Sequence, residues 1–135
     1  MNKLRLTKKV SFYLPEIQKD FTIRELLTHT SGLPDIKTVK ELNPETEYSP
    51  VEFANIADID PEKPAFRSDL GYNILGLVLE KVNKESFQET LEKYSAAWNL
   101  ENTYFNDPAA TNEAKGYLFG NVSGEGLELQ EASIY

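Results

Sequence analysis

Ile23, Leu26, Leu27 and Thr30 recur at the three- and four-residue spacing that puts side chains on one helix face. Just ahead, Thr22-x-x-Glu25 is a capping box: the threonine oxygen accepts from the N3 amide and the glutamate reaches back to the cap amide. Phe21 and Leu26 occupy the positions of a hydrophobic staple, and Gly32 is placed to end this helix in the left-handed conformation. Ser49-Pro50-Val51-Glu52 repeats the device, with proline at N1 and Tyr48 and Phe53 as the staple. A third helix is predicted from near Ser68 to about Val82. Its apolar positions (Leu70, Ile74, Leu75, Leu77, Val78, Leu79, Val82) cover more than one face, which predicts burial on several sides. Ser86-x-x-Glu89 is another capping box and opens a helix through Phe87, Leu91 and Tyr94 towards Trp98. Thr103-Tyr104-Phe105 and Gly116-Tyr117-Leu118-Phe119 read as short strands, and residues 120–135 as a loop or weak terminal strand. Prolines 15, 34, 44, 50, 61, 64 and 108 punctuate the connections. The pattern predicts a mainly α fold with a few short strands.

Composition narrows this picture. The chain has 135 residues, 40% of them hydrophobic, which predicts a single globular domain over 1–135. Fourteen Lys and Arg against 22 Asp and Glu leave a net charge of −8, the wrong sign for nucleic-acid binding. The acids are unevenly placed: seven of them and no cation lie in residues 41–62, while Lys3, Arg5, Lys8 and Lys9 crowd the start. Such runs mark either solvated surface or an acidic docking face. The longest apolar stretch, around Ile74 to Leu79, is too short to span a bilayer, and no apolar segment of signal-peptide type follows the basic start.

Candidate chemistry is sparse. The absence of cysteine removes disulfides, thiolate catalysis and thiolate metal sites. Asp58-x-Asp60-x-Glu62 gathers carboxylates, but Pro61 and the missing glycine break a calcium-loop pattern. One histidine cannot build a usual zinc site, so neither a metal nor a cofactor is expected. His29, expected in the last turn of the first helix, is the one candidate for a Ser-His-Asp arrangement; the alternative is a capping or packing histidine. No G-x-S-x-G elbow exists, Gly124-Glu125-Gly126 is too short for a phosphate cradle, and Asn121-Val122-Ser123 is a glycosylation sequon by pattern alone.

In order along the chain, several segments resemble the serine β-lactamase-like hydrolases: class C β-lactamases, D-alanyl-D-alanine carboxypeptidases and related penicillin-binding-type esterases. Lys3-Leu4-x-Leu6 with Val10-Ser11-x-Tyr13-Leu14-Pro15-Glu16 is similar to that family's G-K-L-x-L-D-D-P-V-x-x-Y-L-P-E segment. The run from Thr22 to Pro34, containing Leu26-Leu27-Thr28-His29-Thr30-Ser31-Gly32, is close to its most recognisable stretch. Phe66 through Val82, with Gly71-Tyr72-Asn73-Ile74-Leu75-Gly76, is similar to the helix after its second catalytic motif. Trp98-Asn99-Leu100-x-Asn102-Thr103-Tyr104-Phe105 and Ala114-Lys115-Gly116-Tyr117 resemble its L-G-M-x-N-T-x-F and A-x-G-Y segments.

The resemblance implies the helical lobe of the β-lactamase and penicillin-binding transpeptidase-like fold, and a serine nucleophile in a Ser-x-x-Lys helix upstream of the matching segment. None of Ser11, Ser31, Ser49, Ser68, Ser86, Ser95, Ser123 and Ser133 has lysine three residues on. The family's second motif, Tyr-x-Asn, falls on Arg67, Ser68 and Asp69. Arginine stays protonated and cannot act as a general base, and Asp69 lacks the amide donor of asparagine. The third motif lies beyond the matched region. The expectation is therefore a truncated or degenerate relative without catalytic residues of its own, lacking the Ser-x-x-Lys region and the C-terminal sheet. One alternative is a single lobe of an active serine acyl-hydrolase, taking a small-molecule or peptide substrate once completed by further residues or another chain. Another is an acidic helical partner-binding module. A lobe cut from its partner should expose an apolar face and pair with itself as a homo-oligomer. Relatives of this kind are typically exported, which the absence of a recognisable signal leaves open.

Overall fold

A capped start defines each helix, and a buried apolar stripe the longest of them. The computed structural model describes residues 4–35, 47–59 and 67–104, together with the backbone of two short strands at 117–118 and 127–128. Helix α1 spans Ile23–Leu27, α2 Pro50–Ile56, α3 Asp69–Asn83 and α4 Phe87–Ala97. A 3₁₀ turn at Val10–Phe12 precedes them. Strands β1 (Tyr117–Leu118) and β2 (Leu127–Glu128) pair antiparallel, Tyr117 opposite Glu128 and Leu118 opposite Leu127.

All three expected capping boxes form. Thr22, Ser49 and Ser86 each accept from the N3 amide, and Glu25, Glu52 and Glu89 each reach back to the cap amide. The Tyr48–Phe53 staple closes at 5.4 Å between ring centroids. At α1 the remaining first-turn amides find backbone partners in the preceding segment: Ile23 N–H donates to Lys8 O at 3.1 Å and Arg24 N–H to Leu6 O at 2.9 Å. Every early N–H of this short helix is thus satisfied, which a five-residue helix needs to persist. Asn55 of α2 binds the loop before α1 at both ends of its amide, accepting from Gln18 N–H and donating to Glu16 O.

Helix α3 is the centre of the lobe, packing against α1, α2 and α4. Leu70, Ile74 and Val78 are fully buried along one stripe, Gly71 and Leu75 widen it, and Leu77 and Val82 are half-buried. Burial on several sides therefore matches the pattern of its sequence. Around it, Val10, Ile17, Phe21, Ile23, Leu26 and Leu33 complete one core, each such side chain adding about 1.5–3 kcal/mol by leaving water.

Two sequence expectations change. Helix α1 ends at Leu27, not near Thr30, and His29 rather than Gly32 makes the first left-handed step, at φ 57. His29 N–H donates to Leu26 O and Thr30 N–H to Glu25 O, a Schellman closure that stops the helix one turn early. Gly32 is also left-handed, at φ 76, but within the following loop. Asn99 closes α4 in the same way, with Leu100 N–H on Ser95 O at 2.8 Å. Thr103 and Tyr104 form no strand, whereas the expected strand near Tyr117 is present; Phe105 lies outside the described residues.

Between the C-terminal half of α3 and α4 runs an open cleft of about 560 Å³, lined by Leu4, Leu79, Val82, Phe87, Leu91 and Trp98 among others. Polar bonds tie the two helices together beside it: Phe87 N–H donates to Glu80 Oε1 and Asn83 Nδ2 to Thr90 Oγ1. Among the described residues, Phe12 and Trp98 are the most exposed large apolar side chains, at 65% and 67%. Among the described residues no helix is long and apolar enough to cross a membrane.

Candidate functional site

The three residues singled out by the Tyr-x-Asn resemblance form the entry to α3. Ser68 is its N-cap, with extended backbone (φ −133, ψ 107) and its Oγ accepting from Gly71 N–H at 3.3 Å. The same Oγ donates to Pro34 O at 3.0 Å, joining α3 to the loop after α1. Ser68 is 2% exposed, and its backbone N–H donates to His29 Nδ1 at 3.1 Å. Both of its polar groups are therefore engaged in structure.

Arg67 and Asp69 flank Ser68 and pair with each other, Nε to Oδ1 at 2.8 Å, with side chains 70% and 52% exposed. A solvated pair of this kind contributes about 0–1 kcal/mol. Its chemical consequence is larger: a guanidinium offers donors and no acceptor, so it cannot take a proton from a hydroxyl. Asp69 also places a negative charge in the first turn of α3, where the helix dipole favours it.

His29 lies just beyond the end of α1, so the expected place in its last turn is corrected, and it is brought against the start of α3. Its ring stacks on Tyr72, centroids 5.1 Å apart and planes 26° from parallel. Tyr72 Oη in turn donates to Leu27 O at 3.2 Å. With Nδ1 occupied by a backbone N–H, His29 offers no base to a serine hydroxyl through that nitrogen. Sequence reasoning placed His29 and Ser68 separately; their meeting, across 39 residues, had no local signal.

Four other described serines have defined places in the fold. Ser31 Oγ accepts from Leu33 N–H, Ser49 and Ser86 cap helices, and Ser95 Oγ is buried without a partner. No activated nucleophile, a hydroxyl hydrogen-bonded to a base that a third group orients, occurs among the described residues. Of the carboxylate cluster, Asp58 is described, while Asp60 and Glu62 lie outside the described residues, as do Asn121, Ser123, Gly124 and Gly126.

Comparison with known proteins supplies the context for this geometry. A β-lactamase from Providencia stuartii is 32% identical over 129 residues, covering 85% of this chain and 32% of that protein. A teichoic acid D-alanine hydrolase from Staphylococcus aureus is 29% identical over 128 residues, covering 90% of this chain and 32% of that protein. The crystal structure of FmtA from Staphylococcus aureus superposes with a TM-score of 0.68 at 26% identity, over 93% of this chain and 37% of FmtA. EstCE1, a hydrolase with promiscuous acyltransferase activity, shares the fold at a TM-score of 0.68 and 24% identity, over 96% of this chain and 40% of its own. The chain thus spans about a third of the length of the curated relatives it matches. The β-lactamase family model matches residues 1–127. With a helical architecture shared with penicillin-binding-like structures and a family match along nearly its whole length, this chain belongs to the β-lactamase family of serine hydrolases.

Proposed function

We propose that this chain is a degenerate or partial β-lactamase-like serine hydrolase relative that forms the helical part of the fold and performs no acyl transfer by itself. The observation that carries the reading is the entry to α3. Where the resemblance places a proton-transferring tyrosine and an amide donor, Arg67 and Asp69 neutralise one another in an ion pair. Between them Ser68 has committed both its hydroxyl and its N–H to neighbouring elements. Covalent catalysis needs a nucleophile, a base and a preorganised oxyanion site. No serine of these 135 residues has the lysine partner of a Ser-x-x-Lys motif.

A second reading has its own support in the well-formed helical framework and in relatives named as a β-lactamase and a D-alanine hydrolase. In it the chain is one lobe of an active acyl-hydrolase for a β-lactam, a D-Ala-D-Ala peptide or an ester, with the nucleophile supplied by further residues or another chain.

One experiment separates the two. The purified 135-residue chain is incubated with a fluorescent penicillin and a fluorophosphonate probe and examined by gel fluorescence and intact mass. No covalent adduct is expected. Labelling of any serine of this chain overturns the first reading, and labelling only after an upstream Ser-x-x-Lys segment is joined to it establishes the second.

A further inference from the structure

His29 ends α1 and also carries a feature that ending a helix does not need. Its backbone is left-handed at φ 57, where glycine closes such turns without strain. Its side chain makes a bond across the α1–α3 seam, accepting the Ser68 N–H on Nδ1. An N–H can donate only to a bare ring nitrogen, so the proton of the neutral imidazole sits on Nε2. Tyr72 holds the ring flat from α3 and anchors its own hydroxyl on Leu27 O, two residues before His29. The left-handed turn swings the imidazole towards α3, and the stack with Tyr72 sets its plane. An observed backbone outlier and an aimed side chain thus converge on one amide.

We propose that His29 is a positioning residue. Through Nδ1 it fixes the backbone at Ser68, and so presents Arg67 and Asp69, on either side of that amide, as one rigid unit at the surface. This deepens the proposed function, because it rests on reading 67–69 as the counterpart of the Tyr-x-Asn station. The tie is independent of whether that station still carries chemistry. Among the described residues, Tyr72 from α3 and the Ser68 amide face the ring, with the Arg67–Asp69 pair flanking that amide.

The test is NMR on the ¹⁵N-labelled 135-residue chain. Long-range ¹H–¹⁵N correlations of the imidazole are expected to show the Nε2–H tautomer, with a through-hydrogen-bond ¹⁵N–¹⁵N coupling between Ser68 N and His29 Nδ1. A proton on Nδ1, or no coupling with Ser68 assigned, overturns the proposal.

Two variants then separate positioning from general support. His29→Gly keeps the left-handed turn and removes the acceptor; His29→Asn keeps an acceptor near the Nδ1 position and tolerates the same backbone. In His29→Gly the Ser68 amide is expected to exchange at least about tenfold faster and the Arg67 Nε resonance to shift, while Val78 in mid-α3 keeps its protection. His29→Asn restores Ser68 protection. Equal loss of protection along the whole of α3, or no change at Ser68, overturns the positioning role. Penicillin labelling of the chain would overturn the non-catalytic reading and leave these results standing, so the two failures are distinguishable.

Discussion

A Cβ added to Gly71 would sit 3.5 Å from Leu26 Cδ2 and 3.8 Å from Leu26 O, ordinary contact distances across the seam where α1 meets α3. The seam is therefore close without being saturated: it has room for one methyl group. A Cβ on Gly76, deeper in the same helix, meets only Phe87 Cδ2 among the described residues, at 3.8 Å. Each glycine has the backbone of an ordinary helical residue, so neither is required for a left-handed turn.

Gly76→Ala is expected to stabilise the fold by about 0.5–1 kcal/mol, because alanine loses less backbone freedom in a helix interior. Gly71→Ala should be tolerated within about 0.5 kcal/mol, and Gly71→Leu should cost about 1–3 kcal/mol by forcing Leu26 aside. Urea denaturation followed by circular dichroism checks the order; a Gly71→Leu chain as stable as Gly71→Ala would contradict the seam.

Leu26 and Leu27 are adjacent in α1, with Leu26 1% and Leu27 40% exposed. Leu26→Ala should cost about 2–5 kcal/mol, through lost burial and the cavity left facing α3. Leu27→Ala should cost less than about 1 kcal/mol. Equal midpoint shifts in denaturant would mean that α1 does not dock by the Leu26 face.

Ser49 and Ser86 hold the carboxyls of Glu52 and Glu89 below the usual carboxylate range, chiefly through their backbone N–H groups and secondarily through their hydroxyls. A carboxylate depressed on folding stabilises the fold above its unfolded pKa, and that contribution disappears as pH falls through the lower folded value. Helicity at α2 and α4 should therefore decline on acidification later than an ordinary glutamate would titrate. Carboxyl-detected NMR titration of Glu52 and Glu89, repeated in Ser49→Ala and Ser86→Ala, should show both rising only part of the way to the usual range, because the backbone N–H donors remain. Each serine change should also cost about 0.5–2 kcal/mol.

Restoring the resembled motif does not supply a nucleophile. The double variant Arg67→Tyr with Asp69→Asn is expected to remain unlabelled by fluorescent penicillin, and to differ in stability by no more than about 1 kcal/mol, since the pair it removes is solvated. An acyl adduct on the double variant, read by intact mass, would place a working nucleophile within these 135 residues.

Trp98, the sole tryptophan, stands 67% exposed at the end of α4, beside the open cleft and 5.3 Å from the Tyr94 ring. The self-association expected from an exposed apolar lobe face should appear as a concentration-dependent rise in sedimentation coefficient with a blue shift of Trp98 emission. A monomer with unchanged emission at high concentration would remove that expectation.

What the sequence determined by itself is the set of features whose cause lies within five residues. The capping boxes at Thr22, Ser49 and Ser86, the Tyr48–Phe53 staple and the buried stripe of α3 are encoded in local spacing, because a helix turn brings such positions together wherever it lies. The end of α1 was less legible, since histidine is not the usual residue for a left-handed closure and Gly32 stood nearby as the better local candidate. Only the tertiary structure decided that His29 meets Ser68 and that Ser68 also reaches Pro34, contacts spanning 39 and 34 residues. Those bonds exist because Leu26 and Ile74 bury their apolar faces in one core as α1 packs on α3, and that packing aligns the helix ends. Arg67, Ser68 and Asp69 could be named from their order in the chain. That they form a capped, ion-paired and histidine-tied corner is a consequence of which helix faces had to leave water together.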